Sequence, residues 1–245
     1  MTFSAKARLL SLAAVAAISL SACDSGAGAG PSGDALPKVA APAGQTWSTT
    51  VRETQDGFVM GNPDAPLKLI EFASPTCGHC ATFSTTGSAA LKSEFVDSGR
   101  VSLEIRPFAL NPMDLPIATI ASCGGTARFF PLLDNIYANQ AQMLEGIQTG
   151  DQAAAQAALQ SQDFRGFARA IGLDSFFAAR GMAAADIDTC LADPAKVTRW
   201  QQSTERNATE FEVTGTPTFV LNGSVLPNTN TWEAVREALT AAGAR

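Results

Sequence analysis

Apolar residues recur along the chain in three different rhythms, and each predicts a different element. Leu67 to Phe72 is a short apolar run rich in strand formers, broken only by Lys68 and Glu71, and it predicts a buried strand. Val101 to Ala109 predicts a second strand. About 100 residues of helical character follow. In them Ala118, Ile120, Phe129, Phe130, Leu132, Leu133 and Ile136 fit one helical face, as do Phe164, Phe167, Ala168 and Ile171, and later Ile187 and Leu191. Such stripes are core packing by default. Thr218 to Leu221 predicts another strand, closed by Asn222-Gly223, a hairpin turn signal. Trp232, Val235 and Leu239 mark a closing helix, with Asn230 and Glu233 placed as its cap. No repeat appears.

The N-terminus follows another pattern. Lys6 and Arg8 precede a twelve-residue apolar stretch, Leu9 to Leu20, too short to span a membrane and of the length of an export signal. Leu20-Ser21-Ala22-Cys23 then resembles the lipobox of bacterial lipoproteins, which implies a signal peptide over residues 1–22 and a lipidated Cys23. A simple secretory signal followed by a chance cysteine is the plainer alternative. From Asp24 to Gly44 glycine, alanine, proline and serine dominate without periodicity, so residues 23–45 are expected to be a flexible tether and the folded part to begin near Trp47.

Composition then bounds the class. With 245 residues, 46% apolar and 16% charged, the chain can bury a sizeable core and is not a disordered protein. A net charge of −6 and a pI near 4.8 argue against nucleic acid as a partner, because no basic face is available to meet phosphates. A single histidine removes mechanisms needing two, including histidine-rich zinc sites. The five cysteines are an odd number, which lipidation of Cys23 makes even. Export would place the others where disulfides persist.

Candidate chemistry centres on Cys77-Gly78-His79-Cys80. The spacing alone fits a redox pair or half of a zinc site. A strand, the turn Ala73-Ser74-Pro75-Thr76 and then the cysteine pair opening a helix make the thioredoxin-like arrangement. Zinc would need Cys123 and Cys190 as further ligands, although neither belongs to a second pair of this spacing; no metal or other cofactor is expected. At a helix N-terminus, unpaired N–H groups and the macrodipole favour a thiolate over a thiol. His79 adds a donor, or a positive charge if protonated. A Cys77 pKa lowered to about 5 would favour the reduced state by roughly 2.7 kcal/mol at pH 7, making the pair about 60 mV more oxidising. Cys77, first in the helix, is expected to attack, and Cys80, one turn in, to resolve.

A second landmark lies at Gly215-Thr216-Pro217-Thr218-Phe219. Beside a thioredoxin-like pair, Pro217 resembles the cis-proline that packs against the disulfide, and Thr216 would then offer backbone groups to a substrate peptide as an edge strand does. Together with Gly61-Asn62-Pro63-Asp64-Ala65-Pro66 leading into the first core strand, these segments resemble the DsbA-type thiol:disulfide oxidoreductases over about 200 residues. The resemblance implies an α/β protein with a thioredoxin fold over residues 46–245 and an all-helical insertion at about 112–212. It implies catalytic roles for Cys77, Cys80, His79 and Glu71, the last matching the family's buried acid, and substrate binding by Gly215, Thr216 and Pro217. It also supports a structural disulfide between Cys123 and Cys190, the pair left over; two separately buried thiols are the alternative.

The function expected is a dithiol oxidase, monomeric, lipid-anchored on the periplasmic side of a bacterial membrane. It would act on exported proteins with cysteine pairs and be served by a membrane redox partner, a quinone-linked reoxidase or a reductase. Gly78-His79 instead of Pro-His, and a threonine before Pro217, keep a disulfide reductase or isomerase as the alternative. A peptide-binding lipoprotein that uses the fold without catalysis is a third reading, disfavoured by the intact cysteine pair.

Overall fold

Alternation along β3 (Leu67–Ala73) sends Leu67, Leu69, Glu71 and Ala73 to one side of a sheet and Lys68, Ile70 and Phe72 to the other. Around that strand the computed structural model, which describes residues 34–245, builds a six-stranded mixed sheet in the order β1-β2-β4-β3-β5-β6. Its other strands are β1 (Val51–Glu53), β2 (Phe58–Gly61), β4 (Val101–Pro107), β5 (Thr218–Leu221) and β6 (Ser224–Val225). β3 and β4 run parallel, joined by α1 (Gly78–Ala90) and a π-helical turn at Leu91–Val96 that continues it. β5 lies antiparallel to β3, with Phe72 opposite Thr218. The second strand is two residues shorter than predicted; a last bond from the Phe108 N–H to the Ala73 carbonyl (2.9 Å) closes the pairing.

Between β4 and β5 the chain makes eight helices: α2 (Asp114–Cys123), α3 (Gly125–Ala138), α4 (Gln140–Thr149), α5 (Gln152–Gln160), α6 (Phe164–Ala170), α7 (Leu173–Ala178), α8 (Ala184–Leu191) and α9 (Pro194–Glu210). The stripes read from sequence bury here: Ala118, Ile120, Phe129, Phe130 and Ile136 join one core with the sheet residues Phe58, Leu69 and Leu103. The Phe58 and Phe129 rings stack at 4.0 Å between centroids, so the insertion packs directly on β2. On the opposite side of the sheet Phe72, Val220, Phe108 and Val213 form a smaller cluster, with Arg106 lying over the rings of Phe72 and Phe211.

The closing helix α10 (Trp232–Ala241) packs on α1 at Gly87, where a β-carbon would lie 2.7 Å from that of Trp232. Its cap is Thr231, one residue later than expected: the Thr231 hydroxyl accepts from the Ala234 N–H (3.3 Å), while Asn230 precedes the cap and Glu233 sits in the first turn.

The signal peptide over 1–22, the lipidation site Cys23 and the first part of the tether lie outside the described residues. The end of the tether, from Asp34, does not match the expectation of a free linker to residue 45. The Leu36 N–H bonds the Gly243 carbonyl, the Val39 N–H bonds the Ser98 carbonyl (both 2.9 Å), and the Val39 carbonyl accepts from the Trp47 indole (2.7 Å). Gly99 and Gly243, both at positive φ, allow this crossing, since a β-carbon on either would overlap the carbonyl of Val39 or Asp34. Backbone bonds hold the strap, so no apolar rhythm announces it. Among the described residues no helix is long and apolar enough to cross a membrane.

Cys123 at the end of α2 and Cys190 in α8 are joined, with Cα atoms 6.1 Å apart. The zinc reading needed both as ligands and loses them to this bond. Closing 67 residues restricts the unfolded chain by at most about 4 kcal/mol. Replacing both residues by alanine should therefore lower the urea unfolding midpoint, and the titration of Cys77 should keep its midpoint.

Candidate active site

The turn after β3 delivers Cys77 to the N-cap of α1, with φ −78° and ψ 118°. In that extended conformation the sulfur points back over the helix end and accepts the Cys80 N–H at 3.3 Å. Its own thiol reaches the Thr216 carbonyl at 3.2 Å. The Thr216–Pro217 peptide bond is cis. Residues 139 apart in sequence meet because β5 pairs with β3, which sets the start of one strand beside the end of the other.

Cys80 is fully buried, and Cys77 retains 7% exposure as the outer member of the pair. Gly78 and His79 lie exposed between them. The environments drive the two thiols apart. Hydrogen bonding with Cys80 pulls Cys77 down from 9.0 to about 5, helped by the Thr216 side chain and the backbone N–H groups of Cys80 and His79 against the opposing effect of burial. Burial first, then the bond to Cys77 and the charge of Glu71, pushes Cys80 far up.

Glu71 is buried at 3% exposure in the middle of the sheet, with Ile105 opposite on β4 and Phe219 opposite on β5. Burial raises its carboxyl from 4.5 to about 8, with Asp134 and Cys77 adding to the rise and Lys92 opposing it. Lys92 and Asp134 pair with each other, and Ser88 donates to Asp134 (3.3 Å), linking α1 and its extension to α3. Glu71, Cys77, Cys80, Thr216 and Pro217 thus gather at one end of β3. Gly215 stands just before them, its carbonyl accepting from the Thr218 hydroxyl (2.7 Å).

Three further side chains belong to the site, and sequence reasoning did not find them. Asp114, buried at the start of α2, accepts from the Thr76 hydroxyl (2.8 Å) and the N–H groups of Thr76, Leu110 and Asn111. Burial raises its carboxyl despite these bonds. Tyr137 of α3 donates its hydroxyl to the Ser74 carbonyl (3.2 Å). Gln140 of α4 donates to the carbonyls of Pro75 (2.9 Å) and Cys77 (3.0 Å). In sequence, Asp114 resembles an ordinary acid in a first helical turn, Gln140 a surface glutamine, and Tyr137 the edge of an apolar stripe. Only the status of Tyr137 as the single tyrosine in the chain was a signal. Among the described residues no group of three or more histidine, cysteine or acidic side chains is placed to hold a metal ion.

A thioredoxin family model matches residues 53–241. The crystal structure of a protein-disulfide isomerase from Novosphingobium aromaticivorans superposes with a TM-score of 0.70 at 32% identity, covering 76% of this chain and 97% of that one. Alpha-DsbA1 of Wolbachia pipientis superposes with a TM-score of 0.60 at 16% identity, covering 82% and 98%, a likeness of fold that includes the inserted helices. A Rickettsia bellii protein provisionally named protein-disulfide oxidoreductase is 30% identical over 99 residues, 40% of this chain and 38% of its own length. The match therefore spans well under half of that curated relative.

Two pH dependences follow from the shifted groups. The Cys77 thiol binds its proton less tightly in the folded protein, so the reduced form is stabilised fully above pH 9 and loses that stabilisation as pH falls through 5. Thiolate absorbance of the reduced protein at 240 nm should show a midpoint near 5, absent from Cys77→Ser. The Glu71 carboxyl binds its proton more tightly when folded, so it lowers stability progressively from pH 4.5 to about 8. Unfolding of the oxidised protein, with the disulfide intact, should become less pH-dependent over that interval in Glu71→Gln, and the variant should be more stable than the parent at pH 8.

Proposed function

The chain belongs to the thioredoxin family, and from that premise we propose that it is a thiol:disulfide oxidoreductase passing the Cys77–Cys80 disulfide to exported proteins. The observation that carries this reading is the opposed shift of the two sulfurs, Cys77 down to about 5 and Cys80 upward. A sulfur that is stable as a thiolate is a good leaving group and stabilises the reduced pair, so the disulfide gives up its oxidising equivalents readily.

The exchange proceeds in two displacements. A client thiolate attacks the Cys77 sulfur, a mixed disulfide forms, and the Cys77–Cys80 bond breaks with its electron pair on Cys80. Cys80, whose buried site disfavours charge, takes up a proton, and Glu71, held near 8, is the acid placed to supply it. A second client thiolate then attacks the client sulfur of the mixed disulfide and expels Cys77 as a thiolate. The client leaves with a disulfide and the enzyme is left as a dithiol. Thr216 and Pro217 border the sulfur, and the Thr216 backbone is the edge against which a client segment would lie. His79, exposed on the first turn, stands where a client approaches.

Reoxidation of the dithiol falls to a membrane redox partner, a quinone-linked reoxidase in this reading. The lipid anchor at Cys23 would hold the monomer on the periplasmic side of the membrane, within that partner's reach. An isomerase or reductase kept reduced by its partner is the second reading. It is favoured by Thr216 before Pro217 and by the Novosphingobium aromaticivorans relative, whose structure is described as a protein-disulfide isomerase.

In Cys80→Ser the Cys77 thiolate can still attack client disulfides but no Cys80 thiol remains to resolve the product. That variant should therefore accumulate mixed disulfides with client proteins in cells, and Cys77→Ser should accumulate none. Equal trapping would overturn the assignment of the attacking sulfur. Acid-quenched alkylation of the unaltered protein then separates the two readings: mostly disulfide for an oxidase, mostly dithiol for an isomerase or reductase.

A further inference from the structure

The turn that presents Cys77 is held largely from outside the thioredoxin fold. Backbone polar groups inside a protein need partners, so each carbonyl of Ser74, Pro75 and Cys77 can be traced to its donor. The Ser74 carbonyl accepts the Cys77 N–H (3.1 Å) and the Tyr137 hydroxyl (3.2 Å). The Cys77 carbonyl accepts the Ala81 N–H (3.1 Å), the first bond of α1, and one from Gln140 (3.0 Å). Pro75 is buried and its carbonyl is met by Gln140 (2.9 Å).

Gln140 bridges the two carbonyls on either side of Thr76 through one nitrogen, Nε2. It is the first residue of α4, just after Asn139, whose backbone departs from helical geometry at φ −120° and ψ 23°. That break between α3 and α4 lets Tyr137 and Gln140 converge on the same turn from two helices of the insertion. Gln140 is itself buried, at 8% exposure. A buried amide committed to two carbonyls fixes backbone orientation, since releasing the Pro75 carbonyl strands a desolvated oxygen and releasing that of Cys77 leaves it only the Ala81 N–H.

The orientation it fixes is the one the sulfur depends on. The Cys77 Sγ meets the Cys80 N–H and the Thr216 carbonyl while its backbone stays extended at φ −78° and ψ 118°. Without Gln140 the Pro75 carbonyl loses its donor and the Cys77 carbonyl keeps only the Ala81 N–H, so the turn can shift and carry the sulfur away from both.

We propose that Gln140 is a positioning residue through which the helical insertion sets the reactivity of Cys77. The proposal rests on the oxidoreductase reading but concerns a residue of the insertion that touches neither sulfur. It gives the insertion a role in the chemistry besides covering the sheet.

Gln140→Met tests it, because methionine keeps the length and packing of the side chain and removes the donor. In the reduced variant the 240 nm titration of Cys77 should move upward by about one unit, and the equilibrium constant with glutathione should shift about tenfold toward disulfide, equivalent to about 30 mV. Gln140→Ala should do the same. A side chain that matters only for packing predicts a lower melting temperature for Gln140→Ala, no change for Gln140→Met and an unmoved titration in both; that result would overturn the proposal. If neither variant folds, the unaltered protein decides: the Gln140 side-chain amide resonances should shift with the Cys77 midpoint, and their failure to move refutes the coupling. The midpoint and glutathione equilibrium of the unaltered protein test the oxidoreductase reading separately, since they are read without any change at Gln140.

Discussion

The hydrogen bond from the Cys80 amide to the Cys77 sulfur, 3.3 Å long, is the contact that the rest of the site serves. It exists because a helix begins there and leaves its first N–H groups without intrahelical partners. A sulfur at the cap supplies an acceptor, and the charged sulfur is a better acceptor than the neutral one. The same geometry therefore caps the helix and lowers the thiol. A strand that ends at Ala73 and a tight turn over Ser74 to Thr76 are what bring the cysteine to the cap and not into the first turn.

From that contact an asymmetry follows. One turn further in, Cys80 sits in the apolar core with Phe83, where burial outweighs the one favourable hydrogen bond, from Thr216. Glu71 shares that interior. Ile105 and Phe219 flank it in register, and Lys92, the cation that opposes its rise, is already paired with Asp134. A carboxyl left in this setting holds its proton near neutrality. Cys77 and Glu71, a few residues apart in sequence, thus titrate in opposite senses because hydrogen bonds govern the sulfur and burial governs the carboxyl.

The insertion is tied to this site and to itself by different means. Apolar packing of Phe129 on Phe58 seats it on β2, and the Cys123–Cys190 bond joins α2 to α8. Asp114, Tyr137 and Gln140 then bring polar groups from three of its helices to one turn of four residues. At the other end of the parallel strands, the strap from Asp34 to Val39 joins the end of α10 to the entry of β4 by backbone bonds.

Much of the fold was legible in the sequence, since local rhythm specifies local structure. The run Leu67 to Phe72, the Asn222-Gly223 turn and the apolar stripes of the insertion each bury a face that periodicity alone defines. The cysteine pair was legible for a related reason: its spacing and its place after a strand put one sulfur at a helix cap whatever else the chain does. Tertiary structure decided the rest. That Glu71 is in a central strand and not at an edge depends on which strands flank β3, and β5 comes from residues about 150 positions away. The choice of Thr231 over Asn230 as cap turns on one amide-to-hydroxyl bond, and the strap on a few hydrogen bonds that leave no apolar pattern. Asp114, Tyr137 and Gln140 carry no distinguishing neighbours in sequence, because their roles come from the turn they meet. Sequence by itself determined which sulfur stands at the helix end; the packing of the insertion and of β5 decided how strongly that sulfur is held, because hydrogen bonds to a fixed point require the chain to have already returned to it.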